Sequence, residues 1–204
     1  MNAPPPARAT ADLLGYVPQG TGRDARPWSS ALRTPLAAAA ASRPGSWALA
    51  RVLPAVDRAL GTGTGGRISA PGLLLGLPTV LLRSTGARTG LPRTTPLIPI
   101  VVPAGSGGLD GGGSAGVFAV LGTNFGGPHT PGWVYNLLAR PDAVLVYRGR
   151  QVAVRARLLE GAQRAGVLDA AVRLYAGYGS YLRRAAHREI RLFALDPLPP
   201  SRDA

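Results

Sequence analysis

Between residues 78 and 197 the chain alternates short strand-like runs with tight turns, and this alternation restricts the fold more than any other feature. At Arg148-Gly149-Arg150 only a few residues separate two such runs, which is a β-hairpin pattern. Strands joined by short turns pair antiparallel, because a parallel pair needs a crossover of a dozen or more residues. The pattern therefore predicts an α+β fold with a mostly antiparallel sheet of about six strands. Strands that curl around one another favour a small barrel.

Hydrophobic periodicity gives the expected order of the elements. Helices are expected where apolar residues recur every three or four positions, and strands where short apolar or alternating runs occur. The predicted strands are 79–83, 94–102, 117–122, 144–147, 152–159 and 190–195. The predicted helices in this region are 131–139, 162–174 and 178–186.

The part of the chain before residue 78 has a different composition. Residues 1–44 contain a proline run and an alanine run without amphipathic spacing, and we expect a disordered N-terminal extension. Residues 45–77 are predicted to form a helix at 46–60, interrupted at Pro54, followed by a glycine-rich linker. These boundaries leave 78–197 as the folded barrel domain and 198–204 as a tail.

Three residue types that carry much of enzyme chemistry are absent or rare. The chain has no Cys, so disulfides, thiolate metal sites and a cysteine nucleophile are excluded. It also has no Lys, which excludes a Schiff base. Its only histidines are His129 and His187, too few for a histidine-rich metal site, and we expect no metal. A protein of this composition depends on a cofactor for any redox chemistry.

The formal net charge is +13, and all 23 basic residues are Arg. Such a charge fits a nucleic-acid binder, a membrane surface or an acidic small ligand. The arginines are dispersed, however, and the aromatic content of 6% is low for base stacking, so we do not expect nucleic acid as a partner. We expect a cytoplasmic protein, since the longest apolar stretch is broken by Gly and Pro, and peripheral membrane contact stays open.

The first candidate binding segment runs from residue 82 to residue 96. It joins two predicted strands through a loop that holds Gly86, Gly90, Arg88 and Arg93. Glycines allow backbone amides to approach an anion closely, and the arginine fork matches a phosphate. The alternative is an ordinary hairpin with solvated arginines.

The second candidate segment follows the predicted strand 117–122 and leads into the helix 131–139. Thr123, Asn124 and Asn136 could contact the polar edge of a heterocycle, while Trp133 packs the helix on the sheet. His129 is either a proton donor or an exposed loop residue.

The third candidate is a set of three tyrosines on one broad helix face, Tyr175, Tyr178 and Tyr181. Buried phenols each need a hydrogen-bond partner. The set therefore fits two interpretations equally, an aromatic core stripe or the wall of a hydrated pocket.

Four sequence blocks in this order resemble the deazaflavin-dependent nitroreductase family of actinobacteria. The resemblance covers residues 79–197 and is carried by T-G-A-R-T-G-L-P-R-T-T-P at 85–96, N-F-G-G at 124–127, P-G-W-V-Y-N-L-L-A-R-P at 131–141 and Y-A-G-Y-G-S-Y at 175–181, with Arg188-Glu189-Ile190 after them.

The resemblance implies a split β-barrel that binds coenzyme F420, a deazaflavin with a phosphodiester and an oligoglutamate tail. It implies that Arg88 holds the phosphate, that other residues surround the cofactor, and that tyrosines form the substrate side. The implied cofactor-binding residues are Arg88, Thr89, Gly90, Arg93, Thr95, Pro96, Leu97, Ile98, Thr123, Asn124, Phe125, Gly126, Trp133 and Asn136. The implied catalytic residues are Tyr178 and Tyr181, with Tyr175 beside them.

The function that the resemblance implies is transfer of a hydride from reduced F420 to an unsaturated or nitro-type small molecule. The sequence departs from the family pattern at Ala87, Asn124, Ala176 and Ile98, which leaves the substrate open. The alternatives are a split-barrel protein that binds FMN or haem, or one that binds a cofactor without turnover. Exposed barrel edges make a homodimer an expectation.

Overall fold

The computed structural model describes residues 10–16, 79–102, 117–175 and 177–199. The predicted helix at 46–60 and the linker after it lie outside the described residues, as do most of the predicted extension 1–44 and the tail from residue 200 onward.

In the described part of the chain, seven strands form one sheet, and all six neighbouring pairs are antiparallel. In chain order they are β1 (Val80–Thr85), β2 (Pro92–Leu97), β3 (Ile100–Val102), β4 (Val117–Leu121), β5 (Asp142–Tyr147), β6 (Arg150–Leu158) and β7 (Leu192–Pro197). Across the sheet the order is β2-β1-β5-β6-β7-β4-β3. The predicted antiparallel α+β fold is confirmed, with seven strands in place of six.

The prediction of a single strand at 94–102 was wrong, and this accounts for the difference in strand number. It divides at Ile98 and Pro99 into β2 and β3, which lie at opposite edges of the sheet. Pro92 and Pro96 suit an edge position, where a missing backbone donor leaves no ladder bond unmade.

This division shows directly that the sheet is curled. In a flat sheet, seven strands would place the two edges about 29 Å apart. The three steps from Leu97 to Ile100 can span at most about 11 Å. The edges must therefore approach each other, which makes the sheet a split β-barrel.

Four helices and one short turn complete the described structure. The helices are α1 (Thr10–Leu14), α2 (Gly132–Ala139), α3 (Gly161–Leu174) and α4 (Gly177–Arg184), and a 3₁₀ turn covers Asn124–Gly126. Three of these match the helices predicted at 131–139, 162–174 and 178–186. Among the described residues, none of the helices combines the length and apolar character needed to cross a bilayer.

The sheet separates two hydrophobic clusters, and β4 contributes to both because it is buried on both faces. Phe118 and Val120 point into the barrel interior, which α1 and α2 also cover. The alternating residues Val117, Ala119 and Leu121 face the outer layer formed by α3 and α4. Burial on both faces explains why β4 is uniformly apolar rather than alternating.

Residues 10–16 differ from the disordered extension expected for 1–44. Thr10 Oγ1 donates a 2.6 Å hydrogen bond to Leu195 O, and Leu14 is 1% exposed within the barrel cluster. The ring of Tyr16 packs at 5.4 Å from Phe118 and 5.1 Å from Tyr147. The expectation was wrong here because these few residues obtain their stability from the barrel and not from their own composition.

We predict that Leu14→Ala lowers the free energy of unfolding by about 2–5 kcal/mol, because it removes a buried side chain and leaves a cavity. Urea unfolding measures the change. The matched control is Leu138→Ala on the surface of α2, where 40% of the residue is exposed and a small effect is expected. Equal, small effects of both variants would show that α1 does not pack on the barrel in solution.

Candidate cofactor-binding site

The β1–β2 hairpin, which we call the arginine hairpin (residues 80–97), has a tightly closed tip. Gly90 N–H donates to Gly86 O at 2.9 Å, and Gly86 N–H donates to Leu91 O at 2.8 Å. Gly90 has a φ of +68°, a left-handed conformation that glycine adopts without steric cost. Thr89 Oγ1 accepts a bond from Leu91 N–H at 3.3 Å, so Thr89 helps to close the same turn.

Helix α2 holds this tip in place. Ala87 N–H donates to Asn136 Oδ1 at 2.9 Å, and Asn136 Nδ2 donates to Ser84 Oγ at 3.2 Å. Arg140 Nη1 donates to Gly86 O at 2.7 Å. Asn136 was predicted to contact a heterocycle, and the structure shows that both polar atoms of its amide bond to the hairpin.

The arginine hairpin carries three exposed arginines, Arg83, Arg88 and Arg93, of which the last two lie nearest its tip. Arg88 and Arg93 are exposed, and neither has an ion-pair partner among the residues that the structure describes. Between residues 79 and 102 the sequence contains no Asp or Glu. An unpaired pair of cations on a hairpin free of acidic residues fits a phosphate or carboxylate ligand.

The remaining predicted residues of this segment lie at the edge where the sheet turns. Thr95, Pro96 and Leu97 end β2, and Ile98 follows in the connection to β3. All four are half-buried. They form a partly exposed, mainly apolar border at the base of the arginine hairpin, a surface suited to the flat side of a ring system.

A second part of the site is residues 123–127, which we call the glycine turn. Asn124, Phe125 and Gly126 have positive φ values of 48°, 54° and 77°. A left-handed backbone costs a non-glycine residue about 1–2 kcal/mol, so contacts elsewhere must hold it. At Gly126 an added Cβ would lie 3.1 Å from the Cα of Tyr181, which shows how closely the turn packs on α4.

Three side chains, one at the end of α4 and two just after it, contact backbone carbonyl oxygens of this turn and its neighbouring residues. Arg188 donates to Gly122 O at 3.1 Å, Thr123 O at 2.8 Å and Gly127 O at 3.3 Å. Arg184 Nη2 donates to Phe125 O at 3.1 Å, and His187 Nε2 lies 3.2 Å from Pro128 O. Sequence reasoning missed the contribution of these residues. Their only signal was the Arg188-Glu189-Ile190 block after the tyrosines.

Within the turn, Asn124 contributes a bond of its own. Asn124 Nδ2 donates to His129 O at 3.0 Å, which spans the loop between the turn and α2. The His129 side chain is exposed. The exposed-loop interpretation of His129 therefore agrees with its position.

The three tyrosines form one cluster beside the glycine turn. Their ring centroids are 5.9–6.1 Å apart, and the Tyr181 ring also lies 6.0 Å from Phe125. Tyr178 and Tyr181 are 6% and 3% exposed in the outer hydrophobic cluster, whereas Tyr175 is half-buried. The core interpretation therefore fits Tyr178 and Tyr181. Tyr175 Oη lies 3.5 Å from Tyr181 Oη, so the half-buried Tyr175 links the buried tyrosines to the protein surface.

Burial raises the pKa of Tyr178 and, together with the hydrogen bond to Tyr175, that of Tyr181. Both phenols stay protonated across the physiological range. Trp133 is buried as well and packs at 6.0 Å from Phe193 in the barrel interior, the packing role that the sequence predicts.

Helix α2 connects the two parts of the site. It begins shortly after the glycine turn and contacts the hairpin tip through Asn136 and through Arg140, the residue that follows the helix. Its eight residues span about 12 Å, so the two parts are roughly one helix length apart. Contacts join the glycine turn to the tyrosines on one side, and α2 to the arginine hairpin on the other.

The family model described as F420H(2)-dependent quinone reductase matches residues 50–197. The chain belongs to this family, whose members are oxidoreductases with the deazaflavin F420 as cofactor.

Curated relatives agree with this assignment. The F420H(2)-dependent quinone reductases of Mycobacterium tuberculosis strains CDC 1551 and H37Rv are each 34% identical to this chain over 97 residues. The match covers 47% of this chain and 55% of each relative. The chain thus spans about half the length of the curated relatives it matches.

Solved structures give similar matches. One described as an F420-H2 dependent reductase is 28% identical, covers 58% of this chain and 94% of its own, and superposes with a TM-score of 0.48. Another, described as a domain-swapped dimer, is 27% identical over 75% of this chain and 99% of its own, with a TM-score of 0.49.

We predict that stability declines with alkaline pH. The folded state holds the pKa of Tyr16, Tyr178 and Tyr181 above their ordinary value of 10.0. Their contribution to the free energy of unfolding is therefore complete below about pH 10. It is lost as the pH rises above that value, by up to about 1.4 kcal/mol per pH unit for each group. Urea midpoints measured from neutral to alkaline pH test this.

The matched variant is Tyr178→Phe, which keeps the ring and removes one titrating phenol. Its stability should decline less steeply with pH than that of the wild type. Identical slopes for the two proteins would contradict the buried position of the Tyr178 hydroxyl.

Proposed function

We propose that this protein is an F420H2-dependent reductase that transfers a hydride to a quinone-type small molecule. The observation that carries the proposal is the arginine hairpin: it is free of acidic residues, is fixed by α2, and lies within the region matched by the family model. Such a hairpin supplies fixed cationic donors to a cofactor with phosphate and carboxylate groups.

The residues present fit F420. Arg88 and Arg93 would bind its anionic end. Among the described residues nothing lies within 4 Å of the position where a Gly90 side chain would begin, so that part of the structure leaves room for a ligand at the tip. The half-buried border Thr95–Ile98 and the outer side of the glycine turn would enclose the ring. Asn136 acts behind the hairpin, because its amide orients Ala87 and Ser84.

When bound, reduced F420 supplies the hydride, and quinone reduction requires one hydride and one proton in the two-electron step. The half-buried Tyr175 is the phenol best placed to donate a hydrogen bond to a substrate oxygen. Tyr181, 3.5 Å away at the hydroxyl, supports the orientation of Tyr175 from the buried side. Because Tyr181 stays protonated, it remains available as a hydrogen-bond partner throughout the physiological pH range.

We also infer a cytoplasmic homodimer. The sheet has two edge strands, β2 and β3, and exposed strand edges are natural places for a second copy to pair. Light scattering combined with size exclusion measures the mass of the particle in solution, and a monomer mass at micromolar concentration would contradict this inference.

We predict that Arg88→Ala weakens F420 binding by about tenfold, the loss expected for one charge-assisted hydrogen bond. Titration of the protein with F420, followed by cofactor fluorescence, measures the Kd. Parallel titration with FMN tests the main alternative cofactor.

The control is Arg173→Ala, which removes an arginine of α3 whose exposed ion pair with Asp169 contributes little. It should leave the Kd unchanged. Tight FMN binding without any response to F420 would overturn the proposed cofactor, and an unchanged Kd in Arg88→Ala would overturn the role of Arg88.

We predict that Tyr175→Phe lowers kcat for quinone reduction more than Tyr178→Phe does. Tyr175 is half-buried at the edge of the cluster, whereas Tyr178 is enclosed in it. Loss of one positioned hydrogen-bond donor corresponds to a decrease in rate of about 10- to 100-fold. Steady-state rates with saturating F420H2 measure the difference. A larger loss in Tyr178→Phe would contradict the assignment.

A further inference from the structure

The carbonyl groups of the loop that contains the glycine turn are bound from one short segment. Within the described loop 122–128, the oxygens of Gly122, Thr123 and Gly127 accept from Arg188, and that of Phe125 accepts from Arg184. The oxygen of Pro128 lies against His187. Five carbonyls thus face residues 184–188.

Arg188 makes the largest contribution to this arrangement. Its guanidinium uses Nε, Nη1 and Nη2, each on a different carbonyl. A lysine ammonium is a compact charge on a flexible chain and cannot span three fixed acceptors in this way. Burial lowers the pKa of Arg188, yet an arginine remains charged in proteins, so all of its donors stay available.

The turn needs such a partner because its backbone is not self-supporting. Asn124 and Phe125 adopt left-handed conformations, which asparagine tolerates but which cost a phenylalanine about 1–2 kcal/mol. Two internal bonds, Gly126 N–H to Thr123 O and Gly127 N–H to Asn124 O, close the turn itself. The bonds from Arg188 attach the closed turn to the outer helical layer.

We propose that Arg188 is a positioning residue of the cofactor site, which fixes the carbonyl side of the glycine turn so that its opposite side faces the cofactor ring. This inference rests on the proposed function, because the glycine turn is assigned to the cofactor there. Arg188 acts through the backbone of residues 122–127 and does not contact the cofactor.

The experiment compares Arg188→Lys and Arg188→Met with the matched controls Arg173→Lys and Arg173→Met. Three quantities are measured on the full chain: the Kd for F420 by fluorescence titration, the Tm, and hydrogen exchange of the backbone amides at 123–127 without cofactor. The lysine variant keeps the charge and loses the fork, whereas the methionine variant loses both.

We expect both Arg188 variants to bind F420 about tenfold or more weakly, since several bonds to a charged donor are lost. The amides of the glycine turn should exchange faster in both variants, while those of β5 and β6 exchange as in the wild type. The Arg173 variants should match the wild type in all three measurements.

Two results would overturn the proposal. Arg188→Lys with wild-type Kd and exchange would show that the charge suffices and the fork is unnecessary. A large decrease in Tm with faster exchange throughout the sheet would show a general structural role.

Failure of the proposed function has a separate signature. If the wild type does not bind F420, the cofactor assignment is wrong. In that case exchange at 123–127 still decides whether Arg188 fixes the turn, because it is measured in the free protein.

Discussion

Only Ile98 and Pro99 separate two strands that lie on opposite edges of the sheet, and the rest of the structure depends on this connection. It forces the sheet to curl, and the curl creates an interior for Phe118, Val120 and their neighbours. It also leaves β4 enclosed between that interior and the outer helices. Both candidate parts of the site then lie at chain turns of the curled sheet, one at the β1–β2 tip and one after β4.

Each of these turns is held from behind by polar side chains that bond to the backbone. The hairpin tip uses Asn136 of α2 and Arg140 directly after it, and the glycine turn uses Arg184 and Arg188 near the end of α4. Bonds to main-chain groups fix a loop without occupying its outer surface. The outer surfaces can thus be preorganised for a ligand, which reduces the ordering cost of binding.

The sequence predicted most of the fold because apolar periodicity reports burial directly. It failed at residues 94–102, where apolar character continues through Ile98 and Pro99 although the hydrogen-bond partners change from one sheet edge to the other. It failed at residues 10–16 because the stability of α1 comes from contacts with residues far along the chain, such as Leu195. In both cases the hydrogen-bond partners that decide the structure lie outside the segment, so its local sequence pattern does not reveal them.

For the candidate site, the sequence indicated which segments to consider better than it indicated what each side chain contacts. The arginine hairpin and the tyrosine cluster were both located, since their residue types are unusual and closely spaced. The bonds of Asn136 to Ala87 and of Arg188 to Thr123 could not be predicted, because they join side chains to backbone groups about 50 and 65 residues away. Backbone acceptors carry no sequence signature.

The arginines illustrate why residue type alone left the charge unexplained. Among the described residues, Arg155, Arg157, Arg173 and Arg191 form exposed ion pairs, which contribute little to stability. Arg140, Arg184 and Arg188 bond to carbonyls, where geometry matters more than charge. Arg88 and Arg93 do neither. Among the arginines that the structure describes, Arg88 and Arg93 lie near the hairpin tip without an ion-pair partner, and they are the two that we assign to the anionic cofactor.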